Sequence, residues 1–362
     1  MNPLQYGIEL VEHGLVPDVL VRLGIRRMCR QRLQQLGPVG SARRAAAEQS
    51  IDASLRSGPI ALLTDKANEQ HYELPPEFFT AVLGPRMKYS CCLWDEGVST
   101  LAQAEEAALR VTCDRASLAN GQEILELGCG WGSLSLWMAE HFPGARITAM
   151  SNSAPQRRFI EERIARLGLT NLRVVTADIN RFEPLASAGF GERFDRVVSI
   201  EMIEHLRNYE RLLSRVASWL KPEGRLFVHC FCHRDATYAF ETDGAANWMG
   251  RHFFSGGMMP SADLLTQFSR DLTVERQWTW NGDHYGRTAE CWLANLDQRR
   301  DQVLPVLARV YGPRAARRWF HRWRVFFLAV AELFGYEGGE PWCVTHSLLA
   351  PTAARTLVAT CR

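Results

Sequence analysis

Long apolar runs are missing from this 362-residue chain: nothing approaches the roughly 18 uninterrupted apolar residues that span a bilayer. Missing too from the first stretch, MNPLQYGIELVEHG, is the succession of basic start, apolar run and small-residue cleavage site, so a cytoplasmic location is expected. Charge of one sign is scarce. A net charge of +2 argues against a dedicated polyanion binder, and no nucleic-acid partner is expected. Internal repeats and low-complexity tracts are also absent. The ten cysteines are scattered, several in apolar strand-like runs where cysteine acts as a small hydrophobe, which reads as reduced thiols rather than a disulfide scaffold. Cys230, Cys232 and His233 beside His229 lack the second distant pair of a zinc site, so no metal is expected. What is present, 46% hydrophobic and 23% charged residues, is the composition of a globular protein with one large core or two domains.

The most informative stretch is Ile124 to Gly132, ILELGCGWG, where a strand-like run meets Gly128, Gly130 and Gly132 and the helical pattern SLSLWMAEHF follows. A buried strand feeding a glycine turn that opens a helix lets backbone N–H groups approach a ligand without an intervening Cβ. The dinucleotide fingerprint wants glycine or alanine three residues after the second glycine, and Ser133 stands there. Glycines spaced G-x-G-x-G, with the acid Glu126 two residues ahead, instead resemble motif I of the class I S-adenosylmethionine (SAM) methyltransferases.

Three regions emerge along the chain. Residues 1–64 read as a helical extension, with Arg22, Arg26, Arg27, Arg30 and Arg32 on one helix, either a solvated face or a surface for anionic lipid headgroups. Residues 65–232 begin with an aromatic segment holding Tyr72, Phe78, Phe79, Tyr89 and Trp94, a core plug or a ligand lid, and continue as alternating strands and helices. That alternation, ILEL, ARITAM, LRVVTAD, FDRVVSI and GRLFVHCF with helices between, predicts a parallel sheet covered on both faces, with ligands at the carboxyl ends of its strands. The helix after FDRVVSI is expected to run to Pro222 and Gly224. Residues 233–362 break the alternation, supplying an aromatic helical stripe that is either core or the wall of an apolar pocket, and a final strand WCVTHSLLA.

The strand ends carry the candidate groups. Ser151, Asn152 and nearby Gln156 can bond a ribose diol, although the usual acid is missing there. Asp178 can accept from an adenine amino group or cap a turn. Glu201, Glu204 and His205 in SIEMIEHLRNYE, and His229 with Phe231 one strand later, are either a buried ion-pair network or groups poised for proton transfer.

HYELPPEFF, MKYSCCLW, ILELGCGWGSLSLWMAE, ITAMSNS, IEMIEHLRNYE, FVHCFCH, FFSGGMMPSADLL and NGDHYGRTAECW, in this order, resemble the cyclopropane-fatty-acyl-phospholipid synthase family of SAM methyltransferases. The C-terminal half most resembles its coclaurine N-methyltransferase branch, notably in WFHRWRVFFLAVAELFGYEGGEPW. The resemblance implies an α/β fold, a Rossmann-like SAM-binding sheet with a helical N-terminal extension and a helical substrate cap. It implies SAM contacts from Tyr89, Ser90, Gly128, Gly130, Ser151, Gln156 and Asp178, to which the reading of the strand ends adds Glu126, Gly132 and Asn152. It places Glu201, Glu204 and His205 by an amine in one branch, and Cys91, Glu204, His229 and Tyr285 around a bicarbonate in the other. The leading expectation is methyl transfer to an amine nitrogen of a small, partly aromatic molecule, with Glu204 and His205 as base and Glu201 as anchor for a cation. The alternatives are methylation or cyclopropanation of phospholipid acyl chains, with peripheral membrane contact, and a SAM-binding protein without catalysis. A homodimer is compatible with the sequence, which fixes no oligomeric state.

Overall fold

The computed structural model describes residues 3–62, 74–184 and 193–352. Tyr72 and the boundary expected at residue 64 lie outside the described residues. The chain opens with α1 (Pro3–Glu12), α2 (Asp18–Leu36) and α3 (Ala42–Arg56), followed by the short α4 (Pro76–Val82) and by α5 (Leu101–Arg115). Thr100 and Gln103 close a reciprocal capping box at the start of α5, satisfying two of its orphan N–H groups.

Then the alternation sets in: β1 (Glu123–Leu127), α6 (Ser133–His141), β2 (Arg146–Ser151), α7 (Ala154–Leu167), β3 (Leu172–Thr176), β4 (Phe194–Ile200), α8 (Tyr209–Trp219) and β5 (Leu220–His233). These five strands pair in parallel, and every residue of β1 is buried, as a strand covered on both faces requires. After the small hairpin β6 (Tyr238–Ala239) and β7 (Met258–Met259), with α9 (Trp248–His252) between them, comes β8 (Leu272–Trp280). Three helices, α10 (Asp283–Gln298), α11 (Arg300–Tyr311) and α12 (Pro313–Phe334), precede β9 (Trp342–Pro351). The main sheet runs β3-β2-β1-β4-β5-β9-β8, with β9 inserted antiparallel between β5 and β8.

Two features differ from the sequence reading. The helix expected to run to Gly224 stops at Trp219, because Leu220 already pairs with Phe194 and the register resumes only at Arg196 and Arg225, leaving Lys221–Gly224 as a bulge. The strand β8 was not foreseen. It is an edge strand whose middle is largely exposed, and Glu275 and Arg276 there break the apolar alternation while discouraging further pairing.

The largest core lies beside the sheet, where α12 contributes Phe320, Trp323, Phe326, Phe327 and Phe334 to a cluster with Phe78, Phe79, Trp131 and Trp292. The N-terminal helices are strapped to it by charge. Arg22 bonds Glu290 and Glu332, Arg26 bonds Glu332, and the buried Glu12 accepts from Trp248, Arg318 and Arg322. No helix among the described residues is long and apolar enough to cross a membrane.

Candidate active site

The glycine turn after β1 is shaped by two conformational demands. Gly128 and Gly130 have φ of +78° and +52°, where a Cβ is disfavoured. A Cβ on Gly130 would meet nothing within 4 Å, so there the turn presents bare backbone to open space, whereas a Cβ on Gly128 would stand 2.8 Å from the Met202 side chain. Gly132, expected beside the ligand, is instead a packing glycine: its Cβ would stand 2.7 Å from Ile160 of α7. Glu126 also departs from expectation. It is buried beneath the turn, accepts from Ser135 of α6, and burial pushes its carboxyl up to about 7.

Two cavities meet near the ends of β4 and β5. The smaller, about 90 Å³, is lined by Gly128, Gly130, Met150, Ser151, Asn152, Gln156, Ala177 and Ile179. The larger, about 770 Å³, is walled by Tyr89, Phe231, Phe254, Tyr285, Trp292 and Phe334 and by residues of α1 and α2. Glu201 and His205 line both. Asp178 is not on the wall of the smaller cavity; its carboxylate accepts from the backbone and side-chain amides of Asn180. Asn180 in turn accepts from Ile60 and Ala61, tying the N-terminal extension to the sheet. Ser90 accepts from the buried Lys88, whose ammonium also bonds the Cys91 carbonyl at 2.7 Å, so the pair fixes the segment that carries Tyr89 and Cys91.

Glu201 is the centre of the polar cluster. Its backbone takes φ of +45°, a sparsely populated region for a non-glycine residue and a form of strain found at functional sites. Oε1 accepts from the Cys91 N–H at 2.9 Å and lies 3.2 Å from His229 Nε2, while Oε2 accepts from the Tyr285 hydroxyl at 2.6 Å. Burial pushes the Glu201 carboxyl up, and Lys88, Tyr285, Cys91 and His205 pull it back. His205 stacks on Phe254 at 5.6 Å, and burial pushes its pKa down to about 4, so the imidazole is neutral at pH 7.

Glu204, expected to share the base role with His205, lines neither cavity. It sits on the opposite side of the single helical turn Ile203–His205, wholly buried, with Oε1 accepting from the Phe231 N–H at 2.8 Å. Burial and the neighbouring Glu201 push its carboxyl up to about 8. Of the four groups expected around a bicarbonate, Cys91, His229 and Tyr285 gather on the Glu201 carboxylate and Glu204 stands apart. The thiols and imidazoles of Cys230, Cys232 and His233 diverge along β5: Cys232 faces Cys343 at 3.5 Å and His233 Nδ1 accepts from Asp235 and Ala236. The sequence reading passed over Lys88, Arg115 and His346, whose signal lies in strand pairing and loop packing rather than in any motif.

The strand order and the glycine turn are those of a class I SAM-dependent methyltransferase, and comparison with known proteins agrees. The chain belongs to the mycolic acid cyclopropane synthetase family, whose model matches residues 63–335. It is 34% identical to the (S)-coclaurine N-methyltransferase of Thalictrum flavum subsp. glaucum, over 94% of each chain. It is 29% identical to the cyclopropane-fatty-acyl-phospholipid synthase of Escherichia coli K12, over 77% of this chain and 67% of that one. A crystal structure of coclaurine N-methyltransferase bound to N-methylheliamine and S-adenosylhomocysteine (SAH) matches with a TM-score of 0.88 at 36% identity, covering 94% of this chain and 98% of that one.

The residues around the smaller cavity fit SAM. The Ser151 hydroxyl donates to Gln156 Oε1 at 2.7 Å, which leaves the buried Gln156 Nε2 without a hydrogen-bond partner among the described residues. A buried amide donor beside an open glycine turn is a site built for an oxygen-rich or nitrogen-rich ligand. The fit rests on this donor set and the bare backbone rather than on cavity size.

Proposed function

We propose that the protein transfers the methyl group of SAM to the nitrogen of an amine whose body is bulky, apolar and partly aromatic. The observation that carries this reading is the position of Glu201 and His205, the residues that line both cavities. When bound, SAM supplies an electrophilic methyl on a positively charged sulfur. The chain's own residues then have three tasks. The aromatic wall of the larger cavity takes the body of the acceptor and excludes water. Glu201, an anion held by three donors, binds the ammonium form and draws it to the junction. His205, neutral and beside Glu201, takes the proton that frees the nitrogen lone pair, and the carboxylate stabilises the imidazolium that results. Glu204 holds the turn carrying His205 against β5 through the Phe231 N–H.

Bicarbonate is not required in this reading. The donors that the family resemblance gives to that anion already serve the carboxylate of Glu201. The test is a panel of secondary and tertiary aralkyl amines and, in parallel, vesicles of monounsaturated phospholipid, each incubated with labelled SAM and the purified protein. Gain of a methyl on the amines, unchanged when bicarbonate is stripped from the buffer, is the expected outcome. Label in the acyl chains alone, or activity that returns only with added bicarbonate, refutes it.

A further inference from the structure

Behind Glu201 and its partner His229 runs a line of side chains, His346 and Arg115, with no part in the scheme above. His229 of β5 and His346 of β9 are register partners in the antiparallel ladder, and both are wholly buried. His346 Nε2 lies 2.8 Å from His229 Nδ1. At the far end, His346 Nδ1 lies 2.9 Å from the guanidinium of Arg115, the last residue of α5. Arg115 lies over the rings of Trp278 and Trp280, at 5.1 and 5.5 Å. Trp280 also packs 4.2 Å from His346 and 5.5 Å from His229, so its ring lies against both imidazoles, which are tilted 39° to each other.

Arginine sets the direction of the whole line. A guanidinium donates and never accepts, so His346 Nδ1 accepts and the proton of that ring is on Nε2. This N–H donates to His229 Nδ1, which puts the His229 proton on Nε2, facing Glu201 Oε1 at 3.2 Å. We propose that Arg115 and His346 are positioning residues for the methyl transfer: through His229 they aim a fixed N–H donor at Glu201 and hold its carboxylate ionised. The inference rests on the reading of Glu201 as the anion that binds the amine. The line ends on a group that keeps its protons, so it fixes charge and does not conduct protons.

Without the arginine donor, both rings can exchange tautomers together, leaving a bare His229 lone pair against the Glu201 oxygen. That contact repels a carboxylate and favours its protonated form. Glu201 is also faced by Lys88, Cys91 and Cys92 from the segment before α5, by Glu204 and His205 from the turn after β4, by Cys230 of β5 and by Tyr285 of α10. Lys88, Cys91, Tyr285 and His205 favour the anion and Glu204 opposes it, so removing the line shifts the balance rather than abolishing the charge.

The variants that test this are Arg115→Met, which keeps an aliphatic stem over the two tryptophans and loses the donor, and Arg115→Lys, which keeps a donor. Imidazole nitrogen spectra of the full-length, histidine-labelled protein with SAH should show both His229 and His346 protonated at Nε2 in the parent and in Arg115→Lys, with mixed tautomers in Arg115→Met. With an amine that turns over, the acid limb of kcat/KM should move up by about one pH unit in Arg115→Met, a fall of about tenfold at pH values on that limb, with Arg115→Lys within about threefold of the parent. A proton on Nδ1 of either ring in the parent overturns the proposal, as does an Arg115→Met protein with parental tautomers and a parental acid limb. Should Arg115→Met fail to fold, the spectra of the parent and Arg115→Lys decide. Those spectra need no acceptor, so they judge the line even if no amine is methylated.

Discussion

Exchanging Glu201 for glutamine keeps the size of the side chain and deletes its charge. In the native site Oε1 meets the Cys91 N–H and His229 Nε2, and Oε2 meets the Tyr285 hydroxyl. The amide oxygen of Glu201→Gln can still accept from Cys91 and His229, while its NH₂ turns to a tyrosine hydroxyl free to rotate and accept. Two charge-assisted bonds reduced to neutral ones and one reversed bond cost about 1–2 kcal/mol of stability, which a domain of this size tolerates. The acceptor loses more. An ammonium about 4 Å from a carboxylate gains roughly 4 kcal/mol at an effective dielectric constant near 20, and charge-assisted bonds retain about 1.5–3 kcal/mol after desolvation. Taking the smaller range, kcat/KM for an amine that enters as a cation should fall about 10- to 150-fold. The assay is initial rate with labelled SAM between about pH 6 and 9, with SAH affinity by calorimetry as the control. In the parent, burial raises the Glu201 carboxyl, so the anion is present above that raised pKa and activity is lost as pH falls through it. The variant should lack this limb. A glutamine variant with parental kcat/KM and a parental acid limb would refute the assignment of Glu201.

The glycine turn separates binding from packing: Gly130→Val, whose side chain enters open space, should weaken SAH at least about tenfold by calorimetry while the protein stays folded, whereas Gly132→Ala, pressed against Ile160, should cost about 1–3 kcal/mol in chemical denaturation. Burial alone would raise the Glu12 carboxyl, but its bonds to Arg322, Trp248 and Arg318 more than offset this and hold it down at about 2. Its contribution to stability is therefore present above the ordinary carboxyl range near 4.5 and lost as pH falls toward 2, so between about pH 5 and 3 the parent should lose melting temperature faster than Glu12→Gln. Glu204 has the opposite sign: with its carboxyl pushed up to about 8, stability is full below about 4.5 and is lost as pH rises through 8, so Glu204→Gln should gain melting temperature on the parent between about pH 6 and 9. Parallel melting curves in either comparison would count against the buried geometry described for that carboxyl. Glu332→Gln, which removes the ion pair of Arg26 and one of the two carboxylates bonded to Arg22 of α2, should raise the KM for the acceptor several-fold with little change in kcat, because α2 walls the larger cavity.

The sheet was legible because its strands are covered on both faces: ILEL, ARITAM and GRLFVHCF are apolar for reasons of burial alone, and such runs stand out in any chain. The edge strand β8 escaped because its exposed centre carries the charges that protect an edge. Motif spacing located Gly128, Gly130, Ser151, Gln156, Glu201 and His205, all of which line a cavity. It could not separate Glu201 from Glu204, since their spacing does not tell that Glu201, between β4 and the turn Ile203–His205, reaches the cavities while Glu204 within the turn bonds β5. Arg115 and His346 were unreadable for a related reason. They meet only because β9 enters the sheet beside β5 in a register that sets His346 against His229, a fact of tertiary pairing 231 residues from the arginine.

These positions divide the protein's work by element. The ends of the parallel strands hold the glycine turn, the Ser151 to Gln156 pair and the Glu201 to His205 junction, and all of them lie inside the span matched by the family model. The far wall of the larger cavity comes from the N-terminal helices. Ile8, Val11, Leu20, Val21, Ile25 and Met28 of α1 and α2 lie before residue 63, where that match begins, and they line the larger cavity together with Phe326 and Val330 of α12. Glu12, Arg27 and Arg32 of the same two helices also line this cavity, away from the Glu201 to His205 junction that it shares with the smaller one. The helices are tied in place by the buried Glu12 and Glu332 and the more exposed Asp18, each paired with arginines. The wall of the larger cavity is thereby joined to α12 by buried charge, while the strand ends sit in a close-packed sheet, so the two sides of the cavity are fixed by different forces.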